Sequence, residues 1–148
     1  AACLKLGADR GINYRTEDFV EVIKAETSGK GVNVILDMVG ASYFAKNISC
    51  LAVEGRMALI AVLTGRETTV NLGLLLMKRL MIGGSALRPR SIAEKGAIAA
   101  ALREKVWPLI EAGRIRPIID STLPLADAAK AHARMESSEH IGKIVLSV

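Results

Sequence analysis

The stretch VNVILDMVG, Val32 to Gly40, decides how this chain folds. Its first residues are almost wholly apolar and do not alternate, the pattern of a strand covered on both faces. The run stops at an acid, Asp37, and Gly40 follows within three residues. Open parallel sheets take ligands just beyond the carboxyl ends of their strands. The end of this strand is therefore read as one wall of a ligand crevice. Asp37 also has a plainer reading, as the cap of the helix that follows.

Working outward, strand-like and helix-like segments alternate without a linker or an internal repeat. Upstream, residues 1–8 read as the tail of an amphipathic helix that begins earlier and is closed by Gly7. GINY, Gly11 to Tyr14, reads as a short strand, and Thr16 as the cap of a helix with Phe19, Val22 and Ile23 on one face. Downstream, a helix is expected from about Ser42 to Ala52. Glu54 and Gly55 then turn the chain into the strand RMALIAVL, Arg56 to Leu63. Asn71 is the expected cap of a short helix reaching Arg79, and LMIGGSAL, Leu80 to Leu87, is the third strand of this series. Ser91 and Glu94 have capping-box spacing at the head of a long helix that Pro108 should kink or divide. A short edge strand within Arg116 to Pro124, a helix over 127–135 and the strand KIVLSV complete the chain. Strand–helix–strand order at this spacing gives parallel pairing with right-handed crossovers. The expected fold is a doubly wound parallel α/β sheet, a partial Rossmann fold without its first strands and glycine-rich turn, in a single domain over 1–148.

Bulk properties narrow the function classes. A chain of 148 residues, 51% of them hydrophobic, is long enough to bury a core. The apolar residues are aliphatic, which suits helix layers on a sheet and suits base-stacking surfaces poorly. A formal charge of +5 is spread along the chain, enough to attract anions but without a nucleic-acid-binding run. Two cysteines, Cys3 and Cys50, lack metal-ligand spacing and point to a reducing, cytoplasmic setting. Neither a membrane span nor a signal peptide is legible in these residues.

The candidate binding residues lie at the strand ends: Tyr14 and Arg15; Asp37 to Gly40; Val62 to Gly65; and Gly84 to Leu87. Glycines recur there, where a ligand comes close and a Cβ would intrude. A long flat ligand crossing several strand ends accounts for these clusters together, and a dinucleotide has that shape. Each glycine also has a bland reading as an ordinary turn. Arg88 and Arg90 read most simply as solvated turn residues. His132 and His140 have no triad partners. The fingerprint GxGxxG is missing, so residue chemistry alone supports a nucleotide-type α/β domain and no more.

The ordered set LGADRGINYRTEDF, GVNVILDMVG, LAVEGRMALIAVLTG, GSALRPRS, IEAGRIRPIID and AHARMESSEHIGKIVL resembles the medium-chain dehydrogenase/reductase superfamily. Within it, the similarity is to the zinc-independent quinone oxidoreductases, the branch of zeta-crystallin. The resemblance implies NADPH as cofactor and hydride transfer to a quinone or similar activated double bond. It implies cofactor contacts at Tyr14 and Arg15 near the adenosine 2′-phosphate and at Asp37, Val39, Gly40 and Ala41 under the ribose and pyrophosphate. It also implies contacts at Ile60, Ala61, Val62 and Leu63 along the nicotinamide ribose, at Gly84, Ser85 and Ala86 on the carboxamide, and at Lys143 near the pyrophosphate. No catalytic side chain and no metal ligand is implied. The substrate domain of the family would lie outside this chain, and Leu80–Leu87 resembles the edge strand of a homodimer. A zinc alcohol dehydrogenase, an enoyl reductase and a non-catalytic dimerisation module are the alternative readings.

Overall fold

Each apolar run from Val32 onward finds a parallel neighbour. The computed structural model describes residues Ala1–Val148, which fall into two compact units, Ala1–Pro89 and Arg90–Val148.

The first unit opens with a single turn, α1 (Ala2–Lys5), followed by α2 (Phe19–Glu26). Strand β1 (Val32–Asp37), helix α3 (Ala41–Cys50), strand β2 (Leu51–Leu59), helix α4 (Leu72–Lys78) and strand β3 (Met81–Gly84) then follow in turn. The strands form a parallel sheet in the order β1-β2-β3. Ile48 of α3 and Leu51 and Met57 of β2 are the buried centre, closed by Ile35, Phe44, Leu74, Leu75 and Ile82. Helices α3 and α4 thus cover the face that carries Ile35, Met57 and Ile82. Helix α2 packs on α3 through the Phe19 and Tyr43 rings, 5.0 Å apart, with the Lys46 ammonium 5.5 Å above Phe19. On the opposite face Val34 and Leu36 are 67% and 65% exposed, and Arg56, Ala58, Met81 and Gly83 beside them are exposed too.

Several boundaries differ from expectation, each for a local reason. GINY is not a strand. The Asn13 side chain accepts the Arg15 N–H at 3.2 Å, and its carbonyl accepts the N–H groups of Thr16 and Glu17, so a side-chain-closed turn replaces extended backbone. Asp18, not Thr16, caps α2 by accepting the Val20 N–H at 3.0 Å. Strand β2 begins at Leu51, not Arg56. Glu54, at φ +62°, sits in a bulge: Leu51 and Arg56 on β2 face Val32 and Val34 on β1. Strands β2 and β3 stop at Leu59 and Gly84, short of Leu63 and Leu87: β2 ends level with Asp37 of β1, and β3 ends level with Leu59 of β2. Asn71 caps α4 as expected, accepting the Leu74 N–H at 3.3 Å. One clamp had no sequence signal: Lys78 Nζ donates to the carbonyls of Ser49 and Leu51 at 2.8 and 2.7 Å, and to that of Ile48 at 3.4 Å, closing the end of α3.

The second unit begins with α5 (Ile92–Lys105), whose head carries the expected capping box between Ser91 and Glu94. Helix α6 (Trp107–Glu111) follows after a break at Val106. Pro108 lies in the first turn of α6, where a missing N–H leaves no bond unmade. Strand β4 (Ile119–Pro124), a 3-10 turn over Leu125–Asp127, helix α7 (Ala128–Glu136) and strand β5 (Lys143–Ser147) form a parallel pair with its crossover. Arg134 of α7 grips Asp120 of β4 with two bonds of 2.6 and 3.0 Å, and the Ile141 N–H adds a third at 3.1 Å. The Arg134 guanidinium and that N–H hold the Asp120 carboxyl well below the usual carboxylate range. No helix in either unit is long and apolar enough to cross a membrane.

Candidate functional site

The three strand ends of the first unit stop level with one another. Asp37 of β1 lies beside Leu59 of β2, and Leu59 beside Gly84 of β3. The ladder then continues for one more step, with the Ile60 N–H donating to Asp37 O at 2.8 Å and the Ser85 N–H to Leu59 O at 2.9 Å. One continuous rim results, as parallel strands of equal reach require.

Beyond the rim, the loops after β1 and β2 are pressed together. The Asp37 side chain, only 4% exposed, turns back and accepts the N–H groups of Val39 and Gly40, each at 3.0 Å. Its carboxylate is committed to shaping the turn. Gly40 follows at φ +87°, and a Cβ on it would lie 2.8 Å from the Cα of Val62. No other residue type fits there. The Leu63 and Thr64 N–H groups donate to the carbonyls of Met38 and Val39 at 3.3 and 2.9 Å.

The segment Ile60–Leu63 spans this junction as a short apolar shelf. Ile60 and Val62 are exposed, and Leu63 is 76% exposed. The N–H groups of Ala61, Val62 and Ala86 have no acceptor within the chain. Exposed apolar side chains beside unpaired backbone donors suit a ligand that is flat, largely apolar in section and edged with hydrogen-bond acceptors. Next to the shelf, Gly40, Ala41, Phe44, Leu59, Val62 and Val70 line a cleft of about 350 Å³ with Arg66 and Glu67 at its margin.

Of the sequence candidates, the rim gathers Asp37, Val39, Gly40, Ala41, Ile60 to Leu63, Gly84, Ser85 and Ala86. Tyr14, Arg15 and Lys143 belong to other segments of the chain. Tyr14 and Arg15 lie exposed on the turn that follows Asn13, with no hydrogen bond or ion pair to the strand ends. Lys143 belongs to the second unit, where its N–H donates to Ile118 O at 2.8 Å. Ser42, whose N–H and hydroxyl meet the Thr64 hydroxyl at 3.1 and 3.0 Å, was not legible as a site residue, because nothing local pairs positions 22 apart.

Comparison with known proteins agrees with this architecture. Residues 6–146 match a family model described as zinc-binding dehydrogenase. No group of three or more His, Cys, Asp or Glu side chains is placed to hold a metal ion, so these residues supply no ligand set for the metal in that description. Quinone oxidoreductase 1 of Escherichia coli is 34% identical over 147 residues, covering 98% of this chain and 45% of the relative. A 2-haloacrylate reductase of a Burkholderia species is 32% identical, covering 96% of this chain and 43% of the relative. The crystal structure of Escherichia coli quinone oxidoreductase complexed with NADPH superposes with a TM-score of 0.76 at 32% identity, over 97% of this chain and 45% of that one. The chain thus spans less than half the length of these relatives. With the family model matched over nearly its whole length, the chain belongs to the zinc-binding dehydrogenases of the medium-chain dehydrogenase/reductase superfamily.

Proposed function

We propose that this chain is the cofactor-binding portion of an NADPH-dependent quinone oxidoreductase, the C-terminal part of a Rossmann domain with its trailing helices and last strand. The level rim formed by Asp37, Leu59 and Gly84, with the apolar shelf Ile60–Leu63 above it, carries this reading. Quinones and haloacrylates, the compounds named in the two relatives, share an electron-poor double bond, which is the acceptor class we assign.

NADPH, when bound, supplies the hydride; the chain positions it and keeps water from the reacting face. The Ala61 and Val62 N–H groups and the side chains of Ile60 and Leu63 form the surface for the nicotinamide ribose. Gly84, Ser85 and Ala86 offer backbone toward the carboxamide, and at Gly83 and Gly84 there is no side chain to crowd that approach. Val39, Gly40 and Ala41 serve the ribose and pyrophosphate, with Asp37 holding their loop in shape. Tyr14 and Arg15 are assigned to the 2′-phosphate, and Lys143 keeps its reading as an anion contact within the second unit. We further propose a cytoplasmic homodimer that pairs through the edge Leu80–Leu87, since an uncovered apolar edge strand needs a partner.

The reading is tested by titrating NADPH against the 148-residue chain, following nicotinamide fluorescence, and by assaying quinone reduction in a polypeptide that also carries the family's substrate domain. Binding and NADPH-driven reduction are the expected results. No binding up to millimolar cofactor would favour a dimerisation module without catalysis.

A further inference from the structure

The head of α3 lacks a side-chain cap of its own, because its N-cap residue is Gly40. The loop after β2 supplies one. The Thr64 hydroxyl accepts the Ser42 N–H at 3.1 Å and the Ser42 hydroxyl at 3.0 Å, and it donates to Val39 O at 2.9 Å. One donor and two lone pairs are all that a hydroxyl has, so the group is fully used. The neighbouring Gly65 carbonyl accepts the Ala41 N–H at 3.3 Å. The first donors of this helix, which an anion would otherwise find open, are therefore taken by residues 64 and 65.

This arrangement suspends the shelf between two anchors. At its start, the Ile60 N–H is bonded to Asp37 O; at its end, Thr64 is bonded through both backbone and side chain to the β1–α3 loop. Between them run the residues assigned to the nicotinamide ribose. We propose that Thr64 is the positioning residue for that shelf: its hydroxyl fixes how far Ile60–Leu63 project toward the cofactor while itself making no contact with it. The proposal rests on the cofactor reading above.

Two variants of the 148-residue chain test it. Thr64→Val keeps the branched shape and removes the hydroxyl, whereas Thr64→Ser keeps the hydroxyl. Amide hydrogen exchange without cofactor reports the anchor, and NADPH fluorescence reports the shelf. In Thr64→Val, exchange at Ser42 and over 63–65 should rise by about tenfold or more, since these amides lose an acceptor or its support. NADPH should bind at least about fivefold more weakly, and Thr64→Ser should restore both readouts to within about twofold. Ser42→Ala removes one of the three hydroxyl bonds and keeps the helix cap; it should move both readouts the same way by less, and it serves if Thr64→Val does not fold. Unchanged exchange over 63–65, or faster exchange with unchanged NADPH affinity, overturns the proposal. Failure of the unaltered chain to bind NADPH overturns the cofactor reading and this proposal with it, an outcome distinct from the other two.

Discussion

The buried carboxylate of Asp37 accepts the backbone N–H of Gly40, three residues on, at 3.0 Å. It accepts the Val39 N–H as well, so a single side chain holds the turn that brings the first loop against the second. Asp37→Ala strands two donors in a half-buried loop and should cost about 2–4 kcal/mol, read as a lower urea midpoint at unchanged slope. Gly40→Ala should cost about 2 kcal/mol or more, because its φ of +87° and the 2.8 Å approach to Val62 both oppose a Cβ. Wild-type stability for Gly40→Ala would mean that the two loops are not pressed together.

Lys78 closes the other end of α3. Its ammonium meets three carbonyls, and the favourable interaction with the negative end of the helix adds to those bonds. Lys78→Met keeps the apolar stem and removes the charge. A loss of about 1–2 kcal/mol is expected in thermal or urea unfolding. An unchanged midpoint would show that water serves these carbonyls equally well.

Acid sensitivity is expected from the second unit. The Asp120 carboxyl is held well below its ordinary range by Arg134 and the Ile141 N–H. A carboxylate with a depressed folded-state pKa stabilises the fold above its unfolded pKa, about 3.9, and that contribution is lost progressively as pH falls toward the folded value. Unfolding curves should therefore be insensitive to this group above about pH 5 and should weaken steadily below about pH 4. Asp120→Asn should be less stable at neutral pH and should flatten that acid limb. An acid limb unchanged in the variant would remove Asp120 from the account.

The two thiols should react at very different rates. Cys3 is exposed, whereas Cys50 is 3% exposed and burial pushes its thiol pKa up. Thiolate is the reactive form, so an alkylating agent at neutral pH should label Cys3 quickly and Cys50 only on unfolding in urea. Equal native-state labelling would show that the α3 end of the core opens readily.

Much of both units was legible because their signals are local. The apolar run over Val32–Leu36, the Asn71 cap, the Ser91–Glu94 box and the break ahead of Pro108 each follow from residues a few positions apart. What escaped depends on distant partners. GINY resembles a strand until Asn13 is seen to close a turn on itself. Glu54–Gly55 reads as a turn until β1 draws the backbone through it as a bulge. The exposure of Val34 and Leu36 was hidden too, since an apolar run looks the same whether a second helix layer covers it or not. For the site, glycines after strands pointed to the rim, and Asp37 had a reading as a helix cap; the fold instead gives the N-cap of α3 to Gly40, has Asp37 close its own turn, and makes Ser42 and Thr64 fasteners.

The account turns on whether the rim beyond Asp37, Leu59 and Gly84 is where the cofactor lies. Amide hydrogen exchange of the 148-residue chain, compared with and without saturating NADPH, tests this most directly. Slower exchange concentrated at residues 60–63 and 84–86 is the predicted result. Binding that protects some other surface and leaves those two segments unchanged would contradict it.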